Sequence, residues 1–311
     1  VECPRTTWRL FGTTIAIAAM LMAFAVGPFP APVQYLAAFA LGWVNVRLFI
    51  FYHDTMHHAI FRKSPFGRWL MQIYGLLILT PERVWKDSHN YHHAHTSKIV
   101  GASIGSYPIL TVRMYRAASP WQRLQYRWAR HWLTMLMGYF TVFLVGMCIR
   151  PLIANPRRNY EAALSLALHG ALIGVLTAIG GFEFAFRAYL FPLAVSCALG
   201  AYLFYAQHNF PDMEIRDRRD WEYTAAALHA SSMMNTSPLI GWLTGDIGYH
   251  HVHHLNSQIP FYRLRDAMNG VQELQNPACT SLSVKDVYAC LQNHLWDPEQ
   301  GRMLSYREAG V

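Results

Sequence analysis

Histidine is the residue type that stands out, with 16 in a chain of 311 residues. Most of them lie in three clusters, HDTMHH at 53–58, HNYHH at 89–93 and HHVHH at 250–254. On a helix, residues i, i+3 and i+4 share one face, with Cβ atoms about 5–6 Å apart. Each cluster can therefore direct two or three imidazoles into one volume, and His208 follows the last long apolar run as a further contributor. The pattern predicts a metal site.

The number of histidines indicates the kind of metal site. Imidazole binds zinc, copper, iron and nickel, so ligand type alone does not decide between these metals. A tetrahedral zinc takes four ligands, fewer than the eight or nine histidines available here. A zinc hydrolase would also need a carboxylate base, and no spacing identifies one. Two redox metals with four or five histidines each fit the set, and iron is favoured.

Composition places these clusters in a membrane protein. Hydrophobic residues make up 53% of the chain and charged residues 14%, against about 25% charged residues in soluble domains. The apolar runs at 11–26 and 32–52 predict one transmembrane hairpin, about 11–52, and those at 162–179 and 186–206 predict a second, 162–206. The run at 69–80 is too short to span a bilayer and is expected in the interface.

The histidines also restrict the topology, because clusters that share a site must share a side of the membrane. The run at 133–149 is therefore predicted to be re-entrant or interfacial. By the positive-inside rule the histidine side is cytoplasmic. Its basic residues are Arg62, Lys63, Arg68, Arg83, Lys86, Lys98, Arg157, Arg158, Arg216, Arg218 and Arg219.

The predicted fold is an all-α integral membrane protein forming a single domain, 1–311. Four transmembrane helices and interfacial helices support a cytosolic helical cap, 53–130 and 207–311, which carries the dinuclear site. The protein is expected to be multi-pass, in a bacterial inner membrane, with its active site on the cytoplasmic side. No cleavable signal peptide is expected, because the first apolar run leads directly into the second.

The net charge of +8 predicts a basic surface that suits anionic lipid or an acidic protein partner. No nucleic-acid motif is present, so nucleic acid is not an expected partner. The five cysteines form no CxxC pair, which argues against a disulfide framework or a thiolate metal site.

The clusters resemble the histidine boxes of the membrane fatty-acid desaturase superfamily, and within it the bacterial acyl-lipid, delta-12-like branch. The similar stretches are HDTMHH at 53–58, WKDSHNYHHAHT at 85–96, YAQHN at 205–209 and WLTGDIGYHHVHHLNSQIPFYRL at 242–264. Together they cover the chain from about residue 33 to 264. The resemblance implies two iron ions held by His53, His57, His89, His92, His93, His208, His250, His253 and His254.

Some positions stay open in this comparison. The first-box ligand is His57 or His58, because family members differ at this point. His95 and His251 lie outside the common pattern and are expected to support ligands or lie on the surface. Relatives commonly carry Asn at Asp246, where an aspartate could orient a ligand imidazole or bind a water. The remaining histidines are expected to be structural or superficial: His131, His169, His229 and His294.

The implied reaction is O₂-dependent removal of two hydrogens from neighbouring CH₂ groups of a fatty-acyl chain, giving an alkene and water. The acyl group could be carried on membrane lipid, CoA or acyl carrier protein, and the electron donor could be ferredoxin or cytochrome b5. Trp85, Tyr91 and Tyr249 are weak candidates for lining a substrate tunnel, and interfacial anchoring suits them better.

Three other functions could use histidine boxes of this kind. A sister di-iron enzyme, namely a hydroxylase, an acetylenase or an alkene-forming decarboxylase, could share the same box spacing. A histidine-rich metal transporter would place its ligands near the bilayer midplane. A metal-sensing receptor would need no open coordination position.

Overall fold

The computed structural model describes residues 1–99, 106–216 and 219–311. Arg218, one of the basic residues assigned above to the histidine side, lies outside this described part. The described residues are mostly helical and form two compact units. The first unit contains residues 1–86, 136–201 and 242–245, and the second contains 87–135, 202–241 and 246–311.

Long apolar helices dominate the first unit. Helix α1, Pro4–Val26, begins before the predicted run because Pro4 starts it at the position that proline favours. Its 23 residues make a helix about 35 Å long. Helix α2 is Ala31–Met56, and Ala25 packs with Ala37 and Ala38 where the two helices leave the turn between them. Pro4–Val26, Ala31–Met56 and the segment Tyr160–Gln207 are long and apolar enough to cross a membrane.

Shorter elements complete the apolar part of the chain. Helix α3 is Pro65–Leu77, and the Ser64 hydroxyl caps its start by accepting from the Gly67 N–H. Helix α4 is Glu82–His95. A π-helix, Tyr139–Ile149, continues into α8, Arg150–Ala154. The interfacial placement of 133–149 stays a prediction.

The segment Tyr160–Gln207 reverses direction at Gly181. It comprises α9, Tyr160–Ala185, a π-helical turn, Phe186–Leu190, and α10, Phe191–Gln207. The His169 Nδ1 lies 2.6 Å from the Tyr189 hydroxyl, whereas residues 20 apart in one straight helix would be about 30 Å apart. Gly181 makes the turn with φ 81° and ψ 171°, a conformation that essentially only glycine adopts. Gly181 lies between the two apolar runs, 162–179 and 186–206, that predict the second hairpin.

The second unit is built from short helices and two small sheets. Its helices include α5, Val112–Ala117, α6, Pro120–Ala129, α7, Trp132–Leu136, α11, Tyr223–His229, and α12, Pro238–Leu243, which ends in the first unit. They also include α13, His250–Leu255, α14, Leu264–Gly270, and α15, Val284–Gln292. Short 3₁₀ turns lie at Phe261–Arg263 and Gln272–Leu274.

The all-α prediction is wrong for five short strands. Strands β1, Leu110–Thr111, β4, Leu295–Asp297, and β5, Arg302–Leu304, form one sheet in the order β1-β4-β5. Strands β2, Met233–Asn235, and β3, Cys279–Ser281, pair in parallel. Segments of two or three residues are too short to show the alternating pattern of a strand. The first sheet packs on a core of Tyr115, Tyr126, Leu295, Leu304 and Ala309.

The turn at Gly181 yields a test of the fold. Gly181→Ala should lower the free energy of unfolding by about 1–3 kcal/mol, because alanine is strained at this φ and ψ. Gly174→Ala is the matched control: Gly174 is helical in the same segment, has open space around its Cβ position, and should gain about 0.5–1 kcal/mol. Thermal unfolding midpoints of the purified variants in detergent would measure both, and equal midpoints would contradict the assigned turn.

Candidate metal centre

Four histidine nitrogens of the second unit form a closed ring. The Nε2–Nε2 distances are 3.0 Å from His92 to His208, 2.8 Å from His208 to His250, 3.1 Å from His250 to His254 and 3.2 Å from His254 to His92. A cation about 2.1 Å from four nitrogens at right angles would hold neighbouring nitrogens about 3.0 Å apart. The ring therefore has the dimensions of a four-imidazole coordination plane.

The tautomers of two ring members are fixed by their other nitrogen. The His208 Nδ1 faces the Ala230 carbonyl at 3.0 Å, and a carbonyl only accepts, so Nδ1 carries the proton. The Thr96 hydroxyl donates to the His92 carbonyl at 2.8 Å, so it accepts from the His254 Nδ1 at 3.3 Å. Both Nε2 atoms consequently carry a lone pair rather than a proton, which is the form in which an imidazole nitrogen binds a metal ion.

Burial keeps these imidazoles neutral. Desolvation lowers the pKa of His208 to about 4, against a smaller opposing effect of its hydrogen bond to Ala230. Burial also lowers the pKa of His254 well below its ordinary value, and the neighbouring histidines lower it further. A neutral imidazole is the form that binds a metal. The ring thus fits a metal ion in geometry and in protonation.

Three further histidines of the same unit, supplied by the same two helices, form a second group. The His93 Nε2 is 3.1 Å from the His89 Nε2 and 3.1 Å from the His253 Nε2. All three side chains are buried. Helix α4 supplies His89 and His93 at i and i+4, and α13 supplies His253, so the two HxxHH boxes each contribute to both groups. Three nitrogens at this spacing make up an incomplete coordination sphere.

The first box lies at the end of α2 in the first unit. The rings of His53 and His57 are 4.7 Å apart, both are buried, and Trp85 packs against each of them at 5.5 and 5.8 Å. The Asp54 carboxylate lies 3.0 Å from the His53 Nδ1, so it accepts that N–H and leaves Nε2 as the ligand atom. The chain thus presents two further oriented imidazoles.

Comparison with known proteins decides the family. The family model described as fatty acid desaturase matches residues 30–283, most of the chain. The chain belongs to the fatty acid desaturase family. The desaturase is accordingly an oxidoreductase that associates with membranes, and the predicted family and enzyme class are confirmed.

Individual relatives agree with this assignment. A fatty acid desaturase of Bacillus subtilis is 32% identical over 274 residues, covering 88% of this chain and 77% of the relative. A Synechocystis sn-1 oleoyl-lipid 12-desaturase is 24% identical over 276 residues, covering 83% and 76%. A Synechocystis sn-1 acyl-lipid omega-3 desaturase (ferredoxin) is 25% identical over 258 residues, covering 78% and 67%.

Other predicted site residues of the desaturase lie apart from these groups. His58 is exposed, with a left-handed backbone at φ 57° just after the end of α2. His95 stacks on Tyr91 with ring centroids 3.8 Å apart. His251 is buried, with its Nε2 3.4 Å from the Leu274 carbonyl. Among the described residues, the Asp246 carboxylate has its ion pair with Arg265, at 3.8 Å.

The lone histidines and the tunnel candidates have structural contacts. His169 hydrogen bonds to the hydroxyls of Tyr139 and Tyr189, and His294 stacks on Tyr306 with centroids 4.1 Å apart, as expected for structural histidines. The Tyr249 hydroxyl accepts from the Arg265 Nε at 3.0 Å.

A small cavity in the second unit opens onto two ring histidines. Apolar side chains form much of its wall, and its polar wall includes Lys98 and Arg130 beside His92 and His208. Trp85, Tyr91 and Tyr249 are not among its lining residues. The apolar lining residues are Ile99, Tyr107, Ile109, Met213, Ile215 and Ala230.

Arg130 holds the chain on both sides of His208 and was missed from the sequence. Its buried guanidinium donates to the Asn209 side chain, to the Tyr205 hydroxyl at 3.2 Å and to the Asn293 carbonyl at 2.6 Å. Asn209 in turn donates to the Cys290 carbonyl at 2.6 Å. The contact of Thr96 with the His92 carbonyl could have been predicted, because Thr96 lies one helical turn after His92. No sequence pattern indicates the contacts of Ala230, Asn209 and Arg130.

Removing this guanidinium should destabilise the second unit. Arg130→Gln should lower the free energy of unfolding by about 2–4 kcal/mol, because several buried acceptors lose a charged donor. Arg113→Gln, at an exposed arginine of α5, should change it by less than about 0.5 kcal/mol. Unfolding midpoints of the metal-loaded proteins test this, and an equal loss in both variants would show that the buried network is not the cause.

Proposed function

We propose that the protein is an O₂-dependent di-iron desaturase that introduces a double bond into a fatty-acyl chain of a membrane lipid. The ring of four Nε2 atoms is the observation that carries the proposal, because its dimensions and bare nitrogens suit a metal ion. The names of two cyanobacterial relatives specify acyl-lipid substrates, which supports lipid over CoA or acyl carrier protein as the acyl carrier.

Each iron ion has its own ligand group in this proposal. The ring residues His92, His208, His250 and His254 hold one ion. His89, His93 and His253 hold the other, and the family resemblance makes His53 and His57 iron ligands as well. His57 is preferred to His58 because it is buried beside His53, whereas His58 is exposed.

The bound iron pair supplies the chemistry that reduces O₂ and takes two hydrogens from adjacent carbons. The protein's own groups hold the histidine rings and orient them. Asp54, Thr96 and the Ala230 carbonyl keep the proton of their histidine partner on Nδ1, so that Nε2 faces the metal. The apolar wall of the cavity lies beside His92 and His208 and excludes water from them.

The proposed topology has four spans, because the segment Tyr160–Gln207 reverses at Gly181 and then supplies two crossings. The histidine groups then lie on the cytoplasmic side, where the basic residues are concentrated. The single-domain prediction for 1–311 stays part of this proposal, as does the location in a bacterial inner membrane.

An acidic electron donor suits the basic surface. One relative carries ferredoxin in its name, which supports ferredoxin over cytochrome b5. The net charge of the chain is +8, so an acidic protein would be attracted to its surface.

The choice between His57 and His58 can be tested by metal content. His57→Ala should lower the iron bound per purified chain, because it removes a proposed iron ligand. His58→Ala should bind as much iron as the parent protein. Iron quantification by plasma mass spectrometry measures both, and a loss confined to His58→Ala would reverse the assignment.

The function itself is tested by the fatty-acid profile of a bacterial host. Cells expressing the intact chain should contain a new unsaturated acid that is absent with the His253→Ala variant. Mass spectrometry of the lipids gives the double-bond position in the same experiment. His131→Ala serves as the matched control, because His131 is an exposed histidine outside both ligand groups.

Other products would redirect the proposal. A hydroxylated acid, an alkyne or a terminal alkene would replace desaturation by hydroxylase, acetylenase or decarboxylase chemistry at the same site. Metal flux into the cells without a lipid change would favour a transporter. An unchanged profile from iron-loaded protein with a supplied donor would overturn the acyl-lipid substrate.

A further inference from the structure

Helix α6, Pro120–Ala129, exposes an apolar stripe on the second unit. Trp121, Leu124 and Trp128 are 65%, 47% and 54% exposed. Their spacing of i, i+3 and i+7 places them on one face of the helix, and Tyr126 on another face is buried in the core. The helix is fixed at its start by a capping box between Ser119 and Gln122. The stripe is therefore presented by a well-formed helix.

Positive charge accompanies the stripe. Arg123 and Arg127 lie one helical turn apart beside it. Among the described residues their hydrogen-bond partners are neutral: Arg123 donates to the carbonyls of Ala118 and Arg116, and Arg127 donates to the Tyr115 hydroxyl. The sequence around α6 also lacks acidic residues, since none occurs from Ser88 to Tyr160. The arginine charges are thus available to an anionic partner.

Tryptophan and leucine beside arginine match the chemistry of a lipid interface. Tryptophan concentrates at the headgroup level of membranes, and an apolar helix face flanked by arginine lies in the plane of that interface. Arginine near the membrane surface is attracted to anionic headgroups. The chain associates with a membrane through its long apolar helices, so a bilayer is present wherever the protein is.

We propose that α6 lies in the membrane interface, with Trp121, Leu124 and Trp128 at the acyl boundary and Arg123 and Arg127 on the phosphates of anionic lipids. This is a surface for lipid rather than for a protein partner. The inference goes beyond the desaturase reaction and does not depend on it.

Depth measurement by spin labelling tests the proposal. Leu124→Cys, in a background with Cys3 and Cys279 replaced by serine, is labelled in the iron-loaded protein and placed in nanodiscs of phosphatidylglycerol and phosphatidylcholine. The label should be more accessible to O₂ than to a water-soluble nickel complex. Glu299→Cys, in an exposed turn of the same unit, is the control and should show the reverse preference.

Each result bears on the proposal. A deeper label in discs rich in phosphatidylglycerol than in pure phosphatidylcholine would support anionic-lipid binding, and equal depth would overturn that part. A label at Leu124→Cys as exposed to nickel as the control would overturn the interfacial position. A label shielded from both reagents would mean that a protein surface covers α6, which also overturns it. Iron content and lipid products report separately on the proposed function.

Discussion

Four imidazole nitrogens about 3 Å apart in a buried volume are the arrangement that the surrounding structure must hold in place. The ring of His92, His208, His250 and His254 supplies these nitrogens. Burial removes the water that would otherwise hydrate them. Short helices and fixed hydrogen bonds orient the rings, and a bound cation would attract the lone pairs of His208 and His254.

The protein orients these nitrogens through contacts behind the ring. A backbone carbonyl fixes His208, and a hydroxyl that is itself committed to the His92 carbonyl fixes His254. A carboxylate does the same for His53 in the first unit. These partners choose which nitrogen carries the proton, and so they determine which nitrogen remains to bind metal. The histidine boxes supply ligands, but their neighbours make those ligands usable.

The sequence predicted the parts of the site that depend on local spacing. The i, i+3 and i+4 pattern found the contributions of α4 and α13, and the apolar runs found the helices and the reversal near Gly181. Contacts between distant segments leave no such pattern. Hence the partnership of Arg130 with Asn209 and Asn293, the pairing of β1 with β4, and the ion pair of Asp246 with Arg265 could be seen only in the structure. His57 and His58 are adjacent in sequence just after the end of α2, but the His57 side chain is buried and the His58 side chain is exposed. The sequence does not show this difference.

The link from Arg130 to Asn293 reaches a part of the chain that the family model does not match, since that match ends at residue 283. Asn209, the residue after His208, bonds to the same segment through the carbonyls of Cys290 and Asn293. A histidine inside the family match is thus braced by a segment that lies outside it. Changes in that tail could adjust the angle of one imidazole, and with it the redox behaviour of a bound metal, while every histidine box stays the same.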